Sequence, residues 1–327
     1  MTYSASVHGT TTATSPVIFL VFNRPQHTRE SLAAIRRVRP ARLLVVADGP
    51  RAGVPGDAAA CAEVRRILHE GIDWPTEVCF NFAEANMGLR PRVSSGLLWA
   101  FEQVEQAVIL EDDCLVEPSF FRFCAEMLER YRDDERVGCI NGCSLLPSGF
   151  PMDTSYCFTQ WPNPGGWATW RRAWRLYDAP LRLFDRAQAN GSFEAWFPHL
   201  RNRIFWERRL RRVYEGRQSS WAYVWWLTCW SHSMLAINPS VNLVRNTGFG
   251  EGSTHTPDPN NWMAHLPVGE LAFPLRHPEC VASLPAVDDY FCNVRGKAGL
   301  KRTLATQLSA WFAAKQAKPS GLHACSL

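Results

Sequence analysis

The chain has 327 residues, 46% of them hydrophobic, which is enough apolar material for one large domain or two small ones. A net charge of +4 is too weak to argue for a nucleic-acid partner, and no apolar run reaches membrane-spanning length. The 11 cysteines are odd in number, form no CxxC pairs and sit largely inside apolar runs, so they read as buried reduced thiols in a reducing cytoplasm.

Residues 1–14 are rich in Thr, Ser and Ala, lack the basic start and apolar stretch of a signal peptide, and are expected to be a disordered tail. The apolar run 16–22 predicts a first buried strand ending at Asn23-Arg24-Pro25. Leu32, Ile35 and Val38 share one face of a helix over 27–38. A second strand over 42–47 closes on Asp48-Gly49-Pro50, a helix follows at 58–70, and a third strand covers 77–82. Helix 92–104 leads to a fourth strand at 107–110. Pro118 then opens a helix through residue 131, since proline suits the first helical turn. Strands alternating with helices predict a mixed, mainly parallel sheet flanked by helices, with ligands beyond the carboxyl ends of the strands. The polar groups at those ends are Asn23 and Arg24, Asp48, the Asn86 loop and Glu111-Asp112-Asp113. They should converge on one crevice.

After a strand over 137–141 the texture changes. Trp, Pro and Gly become dense, helices are expected at 170–177, 193–215 and 221–232, and a short strand at 234–238 returns to the sheet. Tryptophan packs large flat surfaces and can stack on sugar rings, so residues 141–287 suit an acceptor-binding half that follows the half at 15–140, although core packing is the competing reading for each ring. Residues 288–318 have helical spacing with Lys297, Lys301, Arg302, Lys315 and Lys318, and either pack on the body or touch anionic lipid. Arg201 to Arg217 forms a basic helix face, either solvated or attractive to an anionic acceptor.

The chemistry starts at the run Ala107-Val108-Ile109-Leu110-Glu111-Asp112-Asp113. Three carboxylates at the end of a buried strand repel one another, so either they form a solvated turn or a cation sits among them. On extended backbone Glu111 and Asp113 face one side and Asp112 the other, so one group can hold Mn2+ or Mg2+ while a neighbour takes a sugar hydroxyl. Asn86-Met87-Gly88-Leu89-Arg90 offers a bare backbone at Gly88 and a phosphate partner at Arg90, or else a simple turn. Asp48 can accept from a ribose or a base N–H, or merely close a turn. Gly166 beside Trp167 suits a sugar face, with helix packing as the alternative; Trp221 is a second acceptor-side candidate, and His255 is a diphosphate or metal contact or else a structural loop residue.

Pro16-Val17-Ile18-Phe19-Leu20-Val21-Phe22-Asn23-Arg24-Pro25, Asp48-Gly49-Pro50, Asn86-Met87-Gly88-Leu89 and Glu111-Asp112-Asp113 follow one another in an order that resembles bacterial GT-A glycosyltransferases, in the group related to N-acetylglucosaminyltransferase I. Gly166-Trp167-Ala168-Thr169-Trp170 and Asn242-Leu243-Val244-Arg245-Asn246-Thr247-Gly248-Phe249-Gly250 resemble further blocks. The resemblance implies a Rossmann-like GT-A fold, a nucleotide-diphosphate sugar donor such as a UDP-sugar, and Mn2+ or Mg2+. It implies Asp113 as metal ligand, Asp112 near the ribose, Glu111 near the sugar, Asn23 and Asp48 near base and ribose, and Asn86, Gly88 and Arg90 along the nucleotide. Inversion, also implied only by resemblance, needs a base for the acceptor hydroxyl. The stretch Ser220-Trp221-Ala222-Tyr223 has Ala222 where a carboxylate is sought, which leaves Glu251 first and Asp153 second as substitutes. The acceptor can be a saccharide, glycolipid, protein or small molecule. Two other readings stay open: a nucleotidyltransferase making the sugar nucleotide, and a sugar-binding protein without activity.

Overall fold

The computed structural model describes residues 15–147, 149–249, 258 and 261–295. The first half runs β1 (Val17–Val21), α1 (Pro25–Val38), β2 (Arg42–Ala47), α2 (Asp57–Gly71), β3 (Glu77–Phe82), α3 (Leu89–Gln103), β4 (Gln106–Glu111), β5 (Cys114–Val116), α4 (Pro118–Arg130) and β6 (Val137–Asn141). The second half adds β7 (Tyr156–Thr159), β8 (Trp167–Trp170), α5 (Arg171–Trp174), α6 (Arg182–Ala189), α7 (Ser192–Trp196), α8 (Leu200–Tyr214), α9 (Trp221–Ser231), β9 (Leu235–Pro239), β10 (Val244–Asn246) and α10 (Pro285–Arg295).

Among the described residues, eight strands form one sheet in the order β3-β2-β1-β4-β8-β6-β9-β7, and β10 pairs with β5 in a separate ribbon. The pairs β1–β2, β2–β3, β1–β4 and β6–β9 are parallel, whereas β8 runs antiparallel to β4 and β6, and β7 antiparallel to β9. This is the mixed, mainly parallel sheet expected from the alternation of elements.

Residue alternation divides the core. Val17, Phe19 and Val21 of β1 join Leu43, Val45, Val108 and Leu110 under α1, α2 and α4, while Ile18, Leu20, Leu44, Val46 and Ile109 face α3, α5 and α9. Strands apolar on both sides belong in a sheet covered on both faces. Helix α9 is buried all round, as an evenly apolar helix must be. Trp221, Trp225 and Cys229, spaced by four, lie on the sheet side; Val224, Trp226, Leu227 and Trp230 join a third core with α6, α7, α8 and α10.

Two expectations fail for physical reasons. The single helix expected over 193–215 is two, α7 and α8, because Pro198 bars Phe197 from helical backbone; Phe197 has φ −132° and ψ 79°. The helix expected at 170–177 shrinks to α5 because Trp167–Trp170 is a strand, paired with β4 at Gln106↔Trp170 and Ile109↔Trp167. Its four residues are all buried, so no alternation betrays it. The C-terminal helix begins at Pro285 and is described only to Arg295, and residues 1–14 likewise lie outside the described residues. Among the described cysteines, Cys61, Cys114, Cys124, Cys139, Cys157, Cys229 and Cys292 are buried thiols.

Candidate functional site

The ends of β1, β2 and β4 open into a cleft of about 700 Å³ lined by Phe22, Asn23, Arg24, His27, Asp48, Arg51, Asn86, Gly88, Leu89, Arg92, Glu111 and Asp112, among others. Residues from four separate strand ends thus meet, as the sequence led one to expect.

The acidic wall is held from both sides. Helix α1 starts at Pro25, and its buried Ser31 hydroxyl donates to the Asp112 carbonyl at 2.7 Å and to that of Cys114 at 3.2 Å. From the other side, the Thr247 N–H donates to the Asp113 carbonyl at 2.8 Å, beside the β5–β10 ribbon. Arg24 Nη1 lies 3.1 Å from Asp113 Oδ2 and 3.6 Å from Asp112 Oδ1, and Asn246 Nδ2 donates to Asp113 Oδ1 at 3.4 Å. A Cβ on Gly248 would lie 1.9 Å from Asp113 Oδ2, so only glycine lets this segment pass the carboxylate. Burial first, then repulsion from Asp113, raises both Glu111 and Asp112 well above the usual carboxylate range; Arg24 opposes this for both, and the Phe22 N–H also helps hold the Asp112 anion. Arg24 alone therefore does not offset the cost of ionising these neighbouring carboxyls together.

Hard carboxylate oxygens are the donor set that Mn2+ or Mg2+ prefers. Among the described residues no three His, Cys, Asp or Glu side chains form a ready-made metal cluster. The Glu111-Asp112-Asp113 wall nevertheless fits a metal taking most of its ligands from a bound diphosphate, since a cation among these carboxyls would favour ionising them together.

Asp48 lines the cleft, but its carboxylate is already occupied. It accepts from the N–H groups of Gly49 (2.8 Å), Met87 (2.9 Å) and Gly88 (3.2 Å) and from Asn86 Nδ2 (3.0 Å). Its role in this arrangement is to fix the Asn86–Gly88 loop rather than to reach a base N–H. Gly88, at φ +81°, permits the turn into α3. Asn23 Nδ2 donates to Asp57 Oδ1, so Asn23 is tied to the start of α2.

Asp57, Arg51 and Arg92 escape sequence reading. Asp57 accepts from Arg51 N (2.8 Å), Nε (3.0 Å) and Nη2 (2.8 Å), and these bonds, Arg51's side chain first, hold its carboxyl far below the usual range despite its burial. A depressed carboxyl stabilises the fold fully above its unfolded value near 3.9 and loses that contribution as pH falls toward the folded value. Asp57→Asn is expected to lower stability at pH 7 and to flatten its decline below about pH 4; urea midpoints across pH check this, and parallel wild-type and variant curves would contradict it. Arg92 is buried, its guanidinium donating to Ala47 O at 3.1 Å and to the Asn81 carbonyl and Oδ1; burial lowers its pKa, while Asp48 opposes the shift. It leaves positive charge at the ends of β2 and β3.

Other sequence candidates lie elsewhere. Arg90 turns away from the cleft, its Nη1 reaching Val213 O at 3.5 Å. Trp167 and Trp221 are core residues, 1% and 3% exposed and stacked on each other at 5.7 Å, so neither offers a face to a sugar. Gly166 is buried under Val244, its carbonyl accepting from Gly142 N–H at 2.9 Å, and is no bare sugar platform. Asp153 is in an exposed loop and does not line the cleft. Ala222, in the first turn of α9, packs beside the sheet-side core. Glu251 and His255 lie outside the described residues.

The chain matches no protein-family profile and no curated protein. Solved structures similar to it include the mannosyltransferase PcManGT from Pyrobaculum calidifontis in complex with GDP-Man and Mn2+, at 14% identity and TM-score 0.36 over 67% of this chain and 71% of that one. HddC from Yersinia pseudotuberculosis gives 9% and 0.29 over 48% and 77%. The galactosyltransferase LgtC, in complex with donor and acceptor sugar analogs, gives 14% and 0.34 over 90% and 95%. Likeness at these values assigns no activity to this chain.

Proposed function

We propose that this protein is a metal-dependent glycosyltransferase that moves a sugar from a nucleotide-diphosphate donor, in the first instance a UDP-sugar, to an acceptor hydroxyl with inversion. The observation that carries the reading is the convergence of Asn23, Arg24, the Asp48-fixed Asn86–Gly88 loop, Glu111 and Asp112 on one cleft at the carboxyl ends of parallel strands, with Asp113 next in the chain and 3.1 Å from Arg24. The cleft combines a surplus of acid at the end of β4 with guanidinium groups at Arg24, Arg51 and Arg92. An acidic edge beside cationic and amide groups suits a ligand that is part phosphate and part hydroxylated ring.

Asp113 is the residue that would hold Mn2+ or Mg2+, which when bound neutralises charge on the departing diphosphate and is worth several kcal/mol. Arg24, already at the carboxylates, adds a second positive charge for that leaving group. Asp112 takes ribose hydroxyls and Glu111 those of the sugar, each as an acceptor of O–H. Asn23, anchored by Asp57, forms the base side with Phe22 and Arg51. Glu251 accepts the acceptor's proton. In the sequence it stands three positions after Gly248, and Gly248 abuts Asp113.

A nucleotidyltransferase would want a glycine-rich loop after β1, whereas Asn23-Arg24 leads straight into α1. An inactive sugar-binding protein would take up donor without turnover. Measuring donor consumption with and without Mn2+, across acceptor classes, separates these. Glu251→Gln is expected to cut turnover by about 100-fold or more with donor affinity nearly unchanged. Unchanged turnover would remove Glu251 as the base.

A further inference from the structure

Helix α8 presents two opposed faces. Trp206, Leu210 and Val213 are buried in the helical lobe. Leu200, Arg201, Ile204, Arg208, Arg211 and Arg212 are exposed and, at 3.6 residues per turn, occupy an arc of about 120° on the far side. Leu200 is 59% exposed and Ile204, one turn on, is 38% exposed. The flanking cations are engaged, Arg203 with Glu194 at 2.8 Å and Arg209 with the Tyr223 hydroxyl at 3.2 Å, and Arg211 lies over the Phe184 ring at 5.6 Å. The acids nearby are Glu194, paired with Arg203, Asp185, which accepts from the Tyr214 hydroxyl at 3.1 Å, Glu207, at the edge of the face, and Glu215, which pairs with Arg217.

A polyanion would pair with Arg208 and Arg212 but leave Leu200 and Ile204 in water. An anionic bilayer surface satisfies both, phosphates meeting arginine and the acyl boundary taking leucine and isoleucine. We propose that α8 docks this protein on an anionic lipid surface through that face. Among the described residues no helix is long and apolar enough to cross a membrane, so the contact is peripheral. The docking helix is also joined to the cleft, because Val213 O accepts from Arg90, next to the lining residue Leu89. The proposal stands apart from the transfer reading, as docking needs no donor.

Co-sedimentation of the full chain with vesicles of phosphatidylcholine alone, and of phosphatidylcholine mixed with phosphatidylglycerol, tests it. The wild type is expected on mixed vesicles at low salt and not on phosphatidylcholine alone. Both Arg208→Glu/Arg212→Glu and Leu200→Ser/Ile204→Ser should reduce partitioning by at least about tenfold. All four positions are exposed, and circular dichroism confirms that the variants stay folded. Absence of wild-type binding to mixed vesicles overturns the proposal, as does binding that survives both double variants. So does a Leu200→Ser/Ile204→Ser protein that binds as the wild type does, which would mark a polyanion site instead.

Discussion

Asp113→Ala is expected to lower metal-dependent transfer by about 100- to 1,000-fold while the protein remains folded. The two expectations rest on different atoms of one residue. The Asp113 carbonyl, which accepts from the Thr247 N–H and hydroxyl, survives the substitution and keeps the acidic turn tied to the β10 side. The carboxylate, which faces Arg24 and Asn246, is lost, and with it the oxygen that would hold the cation. Removing it also relieves the repulsion felt by Glu111 and Asp112, so melting should not worsen markedly. Initial rates of donor consumption and a thermal melt decide the matter together. Wild-type rates in a folded variant would end the assignment of Asp113, and a variant that fails to fold would show that the carboxylate is structural.

Trp161→Ala should cost about 3–5 kcal/mol of stability, the usual range for emptying a fully buried aromatic site. Trp161 is entirely buried, with ring centroids 5.2 Å from Trp206, 5.3 Å from Trp230, 5.9 Å from Phe197 and 6.2 Å from Trp226. Its indole N–H donates to the Asp288 carbonyl at 3.1 Å, so truncation also leaves that oxygen without its partner. These neighbours come from α7–α8, α9 and α10, so the cavity opens where the helices of the second half meet. Urea denaturation measures the loss. A midpoint close to the wild type would mean that the aromatic cluster is not the keystone of this lobe.

The contrast between these two residues shows what the sequence made legible. The acidic wall could be read because β4 is an unbroken apolar run ending in three charges, a local pattern needing no partner. Strands β1, β2 and β3 were readable for the same reason, and their shared direction brought Asn23, Asp48 and Asn86 to one end. What holds those groups was not readable. Ser31 acts on Asp112 across 81 positions and Asn246 on Asp113 across 133, and serine or asparagine at such separations carries no local sign of its partner. Asp57 reads as an ordinary acidic helix start, and only the fold brings Arg51 and Asn23 to it. The tryptophans misled for the opposite reason. Their chemistry suits sugar stacking, but β8 and α9 are covered on both sides, and burial of a large ring overrode that option at Trp167 and Trp221.

Titration calorimetry with UDP- and GDP-sugars, in the presence and absence of Mn2+, tests the central claim most directly. Uptake of a nucleotide sugar at least about tenfold tighter with manganese in the wild type, and losing that gain in Asp113→Ala, is the predicted result. Manganese-independent affinity, or no uptake of any nucleotide sugar, would contradict it.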